Sequence, residues 1–126
     1  VYSAADVLLN PSYGEGFGIT VIEAQACGCP VIVSDFSAMT ELCGAGWLVN
    51  GQRAWTPQGS YMQVPNVDAI HEALTFAYRD AAGLRGRARQ FAVAYDARRV
   101  FAEHMLPAVE RIAAEMGVGA AEEAAA

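Results

Sequence analysis

YGEGFGITVIEAQACGCP, residues Tyr13 to Pro30, places three glycines in its first six positions and then changes to helical spacing. Tyr13-Gly14-Glu15-Gly16-Phe17-Gly18 has no apolar period and reads as a loop whose backbone bends tightly or is closely approached. From Ile19 the apolar positions Ile19, Ile22 and Ala26 recur at helix intervals, and Gly28 and Pro30 end the helix. Before the loop, Val7-Leu8-Leu9 is a short apolar run stopped by Asn10-Pro11-Ser12; after the helix, Val31-Ile32-Val33 is another, bounded by Ser34-Asp35. Strand, glycine loop, helix and strand in that order make a βαβ unit around a parallel sheet buried on both faces.

Further along, Ala38 to Cys43 reads as a short helix closed by Gly44, and Trp47-Leu48-Val49 as a third strand. Ala54-Trp55-Thr56 and Tyr61-Met62-Gln63 flank Pro57-Gln58-Gly59, which leaves a surface hairpin and a wandering loop both open. Asn66 can cap a helix from Val67 to about Asp80, with Val67, Ile70, Leu74, Ala77 and Tyr78 on one face. Leu84 to Tyr95 reads as a second, Arg-rich helix. Asp96 can cap a third, with Val100, Phe101, Met105, Val109 and Ile112 inward and a kink at Pro107. The residues from about 116 to 126 lack a large apolar anchor and are expected to form a disordered tail. The class is therefore α/β: a short parallel sheet followed by a helical C-terminal segment, as in the second half of a doubly wound domain.

With 126 residues the chain has room for one domain or part of one. It carries eight Arg, no Lys and 14 Asp plus Glu, for a net charge of −6. That sign disfavours a nucleic-acid groove or an anionic membrane surface as partner. No apolar run reaches the roughly 18–20 residues of a membrane span, and the start VYSAADVLL lacks the basic flank of a signal peptide, so the expected location is the cytoplasm. Cys27, Cys29 and Cys43 do not make a zinc or redox spacing, and no metal site is expected of them. Because Val1 leads directly into Ala-rich sequence and a strand, the chain is expected to be a piece of a longer protein.

A glycine turn that leaves a parallel strand and opens a helix gathers free N–H groups and the positive end of the helix dipole at one spot, which suits phosphate or carboxylate. The spacing here is G-x-G-x-G rather than that of the dinucleotide folds, so the glycines could equally serve only a tight turn. Glu15 lies inside the loop, and Glu23 lies about five residues into the helix, roughly 7 Å along its axis at 1.5 Å per residue. That offset matches a ligand with phosphates at the helix start and a ribose along the first turns, since a carboxylate accepts from paired hydroxyls. An N-terminal cap for Glu15 and a solvated helix carboxylate for Glu23 are the plain structural accounts.

Glu15 and Glu23 form E-x7-E within EGFGITVIEAQACGCPVIVSD, and this segment resembles the donor-binding segment of retaining glycosyltransferases of the GT-B fold, the "group 1" family. YSAADVLLNPS before it and Asp35 to Asn50 after it are similar to the family as well. The resemblance departs at Phe36-Ser37-Ala38-Met39-Thr40 before Glu41, where the family usually has paired glycines and a proline, and at residues 50–65, longer than the usual short link.

The resemblance implies a Rossmann-like partial C-terminal domain over residues 1–115. It implies that Glu15 is the catalytic residue facing the donor sugar, and that Gly16, Phe17 and Gly18, continued by Ile19 and Thr20, bind the donor through backbone N–H groups. Glu23 would hold the ribose. The donor is a nucleoside diphosphate sugar, with no further cofactor and no metal. The basic pair for the pyrophosphate, the base pocket and the acceptor domain would lie upstream, in the remainder of the parent glycosyltransferase, so this piece alone is expected to be inactive. Arg53 lies in the loose segment, and the remaining Arg residues, on late helices, read as solvated faces. His71 and His104 lack a nucleophile partner. Packing in a hairpin is favoured over sugar stacking for Trp47, Trp55 and Tyr61. Two other readings stay open: a non-catalytic anion- or nucleotide-binding module on this fold, and a GT-B sugar-nucleotide epimerase.

Overall fold

The computed structural model describes residues 1–117, which form two compact units, Val1–Val93 and a second from Ala94 onward. The tail expected over 116–126 lies, from residue 118 on, outside the described residues.

The first unit is built on a three-stranded parallel sheet of β1 (Leu8–Asn10), β2 (Val31–Ser34) and β3 (Gly46–Val49), in that order. Leu8 pairs with Val31, and Val31 with Gly46. All four residues of β2 are buried. Because alternate side chains point to opposite sides of a strand, both faces of the sheet are covered there, as a continuous apolar run predicts. Helices α1 (Ile19–Ala26) and α2 (Ala38–Leu42) follow β1 and β2 respectively and give the right order for a βαβ succession. The α/β expectation and the short parallel sheet are thus observed, with β1 set one residue later than the apolar run Val7–Leu9.

Three packing expectations are corrected. In α1 the buried residues are Val21, Ala24 and Gln25 rather than Ile19, Ile22 and Ala26; Ile19 is 64% exposed. The helix turns its i, i+3, i+4 face inward even though that face carries a glutamine, because Gln25 is fully bonded. Its Nε2 donates to the Val21 and Leu42 carbonyls at 3.1 and 2.7 Å, and its Oε1 accepts from the Ala45 N–H at 3.0 Å. One side chain thereby clips α1 to the end of α2 and the start of β3.

The two helices expected between Val67 and Tyr95 are one, α3 (Val67–Ala92), followed by a single 3-10 turn. Gly83, which sits between the two expected pieces, and Gly86, inside the second, cost roughly 1 kcal/mol each relative to alanine and do not break the helix. Its buried face is a stripe of alanines, Ala73, Ala77, Ala81, Ala88 and Ala92, while Tyr78 is 94% exposed and Val67 75%. Small side chains let α3 approach the sheet closely, and Ala73, Ala77 and Ala81 join Ile32 and Val49 in the core cluster. Arg85 and Arg89, expected on solvated faces, are clamps: Arg85 donates to the Ala5 and Ser3 carbonyls at 3.3 and 3.2 Å, and Arg89 to the Ala26 carbonyl at the end of α1 at 3.1 Å.

Residues 51–65 form the hairpin rather than a wandering loop. Strands β4 (Gly51–Trp55) and β5 (Tyr61–Pro65) pair antiparallel, Trp55 opposite Tyr61. The Asn66 cap is as expected, its side chain accepting from the Asp68 and Ala69 N–H groups at 2.8 and 3.3 Å.

The second unit contains α4 (Ala97–Val100), a π-helical turn over Phe101–Met105 and α5 (Leu106–Glu115). Asp96 caps α4 as expected. The kink expected at Pro107 takes the form of this widened turn, closed by the Leu106 N–H on the Phe101 carbonyl, immediately before a residue whose ring crowds the preceding turn. Phe101, Met105, Val109 and Ile112 are 51–54% exposed. The face expected inward is open among the described residues of this unit.

Candidate functional site

The glycine loop leaves the carboxyl end of β1, where parallel α/β sheets form their ligand crevices. It is tied down on every side. The Ser34 hydroxyl, at the end of β2, donates to the Ser12 carbonyl, and the Gln63 N–H of the hairpin donates to the Tyr13 carbonyl at 2.8 Å. The Glu15 N–H donates to Ser37 Oγ at 3.0 Å. Gln63 is itself buried, with Nε2 donating to the Val49 carbonyl at 3.0 Å, so the hairpin is anchored to β3 and to the loop by the same residue.

Gly18 ends the loop and caps α1 in a left-handed conformation, φ 92° and ψ 53°. A side chain there would be strained in its backbone and would press on Met39 Sδ at 3.2 Å and Leu42 Cδ1 at 3.3 Å. Gly16 is different: its backbone is not left-handed, and a Cβ would meet nothing within 4 Å. The fold therefore demands glycine at 18 and leaves the space over Gly16 open to whatever approaches the loop from outside. No side chain caps the N-terminus of α1, and Ile19 and Thr20 are exposed there. Asn10 Nδ2 reaches Thr20 Oγ1 at 3.4 Å, linking the end of β1 to the first turn.

A cleft of about 440 Å³ lies against the loop. Tyr13, Gly14, Glu15 and Gly16 form one side, Phe36 and Ser37 the floor from the β2–α2 connection, and Ser60, Tyr61 and Met62 the hairpin side. Glu15 and Gly16 are thus brought into one cavity. Phe17, Gly18, Ile19, Thr20 and Glu23 do not line it; they continue along the loop and α1, with Glu23 exposed about 6 Å beyond Ile19 at 1.5 Å per residue. Arg53 holds its guanidinium 5.6 Å from the centre of the Phe36 ring, so its charge rests on a ring that lines the cleft.

Sequence reasoning missed Ser37, Gln63 and the hairpin side of the cleft. Ser37 has φ 55° and ψ −146°, a region other residues leave almost wholly to glycine. The signal was present: Ser37 falls in the stretch where the resemblance leads one to expect paired glycines, and its φ of 55° is one that glycine adopts readily. Burial pushes the Cys43 thiol from its ordinary 9.0 up to about 11, against the lowering effect of Arg87, and burial likewise raises Cys29.

Comparison with known proteins shows the family. A family profile described as "Glycosyl transferases group 1" matches residues 1–80. The chain is 33% identical over 90 residues to a D-inositol 3-phosphate glycosyltransferase of Segniliparus rotundus, covering 69% of this chain and 19% of that protein. It is 35% identical over 88 residues to the protein of that name from Mycolicibacterium vanbaalenii, covering 62% and 20%. It is 41% identical over 49 residues to O-antigen chain mannosyltransferase B of Escherichia coli, covering 39% and 13%. The chain belongs to the group 1 family of glycosyl transferases, of the GT-B fold. The stretch matched spans a fifth or less of the length of each of these relatives.

Proposed function

We propose that this chain is the donor-binding part of a retaining glycosyltransferase, with residues 1–115 as a partial C-terminal domain and the remainder of the parent supplying the acceptor domain. The parent moves a sugar from a nucleoside diphosphate donor to an acceptor with its anomeric configuration retained. The observation that carries this reading is the helix N-terminus of α1, uncapped by any side chain and opening beside a cleft that Glu15 borders.

In this reading Glu15 faces the transferred sugar at the reaction centre. The backbone N–H groups of Gly16, Phe17, Gly18, Ile19 and Thr20 address sugar hydroxyls and the pyrophosphate. Glu23, further along α1, accepts from the ribose hydroxyls. Negative charge accumulates on the leaving phosphate as the glycosidic bond breaks, so fixed N–H donors and a helix dipole stabilise the transition state more than the ground state. This role needs no metal ion from the chain. A cytoplasmic setting fits three free cysteines. Alone, the chain lacks the upstream basic pair and half of the cleft, and is inactive.

The experiment is titration of UDP-, GDP- and ADP-sugars into the full-length protein. A rise in melting temperature with one base, accompanied by transfer to an acceptor, supports the reading. No binding of any nucleotide sugar overturns it. The similar proteins are named for different products, an inositol phosphate glycoside and an O-antigen chain, so the panel has to span donors and acceptors.

A further inference from the structure

We infer that the β4–β5 hairpin supplies a sugar-ring subsite to this cleft, with Tyr61 as its stacking surface; the inference rests on the donor-site reading of Glu15. Tyr61 lines the cleft that Glu15 borders and is 60% exposed. The residues lining this cleft include no Lys, Arg or His and do include the Glu15 carboxylate, while the Arg53 guanidinium is engaged over the Phe36 ring and does not itself line the cleft. A phosphate is therefore disfavoured in this cleft, and a neutral ring with hydroxyls on its rim is favoured. Such a ring presents a C–H face to an aromatic side chain and hydroxyls to polar groups, and Tyr61, Ser37 and Glu15 offer that combination. The Ser37 hydroxyl accepts from the Glu15 N–H, which leaves its own proton to donate.

The wall is held in place before any ligand arrives. At the hairpin tip Thr56 brackets Ser60: its N–H and its hydroxyl both donate to the Ser60 carbonyl, at 2.9 and 3.0 Å. Trp55 meets the Tyr61 ring edge-on with centroids 4.9 Å apart, and Gln63, two residues on, bonds to Tyr13 in the loop. A binding surface fixed in this way loses little conformational freedom when occupied. The ring is defined by its chemistry alone, a hydroxylated pyranose, and it comes either from the donor or from the acceptor.

The test is steady-state kinetics of the full-length protein with Tyr61→Ala, Tyr61→Phe and Trp55→Ala, alongside inhibition by the bare nucleoside diphosphate. Tyr61→Ala is expected to raise one KM by about tenfold while inhibition by the nucleoside diphosphate is unchanged, and Tyr61→Phe to behave as wild type. A rise in the donor KM assigns the ring to the transferred sugar, and a rise in the acceptor KM assigns it to the acceptor. The inference is overturned when neither KM moves or when nucleoside diphosphate inhibition weakens in step; Trp55→Ala, which removes the edge-on partner of the Tyr61 ring, is expected to raise the same KM to a smaller extent. A wild-type protein that binds no nucleotide sugar overturns the donor-site reading and this inference with it; donor and acceptor KM values in Tyr61→Ala equal to those of the wild type overturn this inference alone.

Discussion

Ser37 Oγ accepts a hydrogen bond from the Glu15 N–H at 3.0 Å, across 22 residues of chain, while Ser37 itself is held at φ 55°. A strained residue thus positions the backbone of the carboxylate proposed for the reaction centre, and strain of this kind persists only where its surroundings enforce it. Replacing Ser37 by Ala removes the bond and keeps the strain, whereas Ser37→Gly removes both. Turnover of the full-length protein is expected to fall about tenfold in each variant, because the loop is no longer fixed. Stability separates them: Ser37→Ala loses about 1 kcal/mol, and Ser37→Gly stays near wild type as relief of strain offsets the lost bond. Melting temperatures and turnover numbers for the pair check this, and unchanged turnover in both would remove the positioning role.

Gln25 gives a second expectation. With Gln25→Leu the Ala45 N–H loses its buried partner, while the Leu42 carbonyl keeps the Gly44 N–H at 3.0 Å. One unpaired buried donor costs about 1–3 kcal/mol. Urea unfolding should show that loss, and a shift within about 0.5 kcal/mol would mean that the clip contributes little.

The alanine stripe of α3 predicts an asymmetry between neighbouring positions. Ala77 is buried in the core cluster, and Tyr78 is 94% exposed. Ala77→Leu overpacks the contact with the sheet and is expected to cost about 1–3 kcal/mol. Tyr78→Ala should shift stability by no more than about 0.5 kcal/mol. Chemical denaturation of the two variants decides the orientation of the helix.

Cys43 sets a pH dependence. Its thiol is pushed up to about 11 by burial, so the folded state holds this proton more tightly than the unfolded chain. The stabilisation is complete below the ordinary 9.0 and is lost as pH rises through about 11. The stability difference between wild type and Cys43→Ala should therefore shrink over that window and be flat at neutral pH. Thermal melts at a series of alkaline pH values measure it, and a difference that grows with pH would contradict the assignment.

The sequence carried the sheet and the loop because their signals are local: apolar runs at Val31–Val33 and Trp47–Val49, and glycines between a strand and a helix. Helix faces were read poorly, since Val67, Leu74 and Tyr78 carry more apolar surface than Ala73, Ala77 and Ala81, yet close packing on a sheet selects small side chains. Gly83 and Gly86 lie within α3, and the continuous alanine face outweighs their cost. In the site, Glu15 and Gly16 were legible. Ser37 and Gln63 were not, because each bonds to the loop across 22 residues or more of chain, and spacing within a segment holds no record of that; Tyr61 was read as hairpin packing, and its place at the cleft depends on the fold of the hairpin.

The central claim is that Glu15 acts on the transferred sugar and Glu23 on the ribose of a nucleoside diphosphate sugar. Its most direct test is calorimetric donor binding and single-turnover transfer by the full-length protein with Glu15→Gln and with Glu23→Ala. The account predicts that Glu15→Gln lowers transfer by about 100-fold or more with donor binding little changed, and that Glu23→Ala weakens donor binding by about tenfold or more. Donor binding and transfer at wild-type levels in both variants would contradict it.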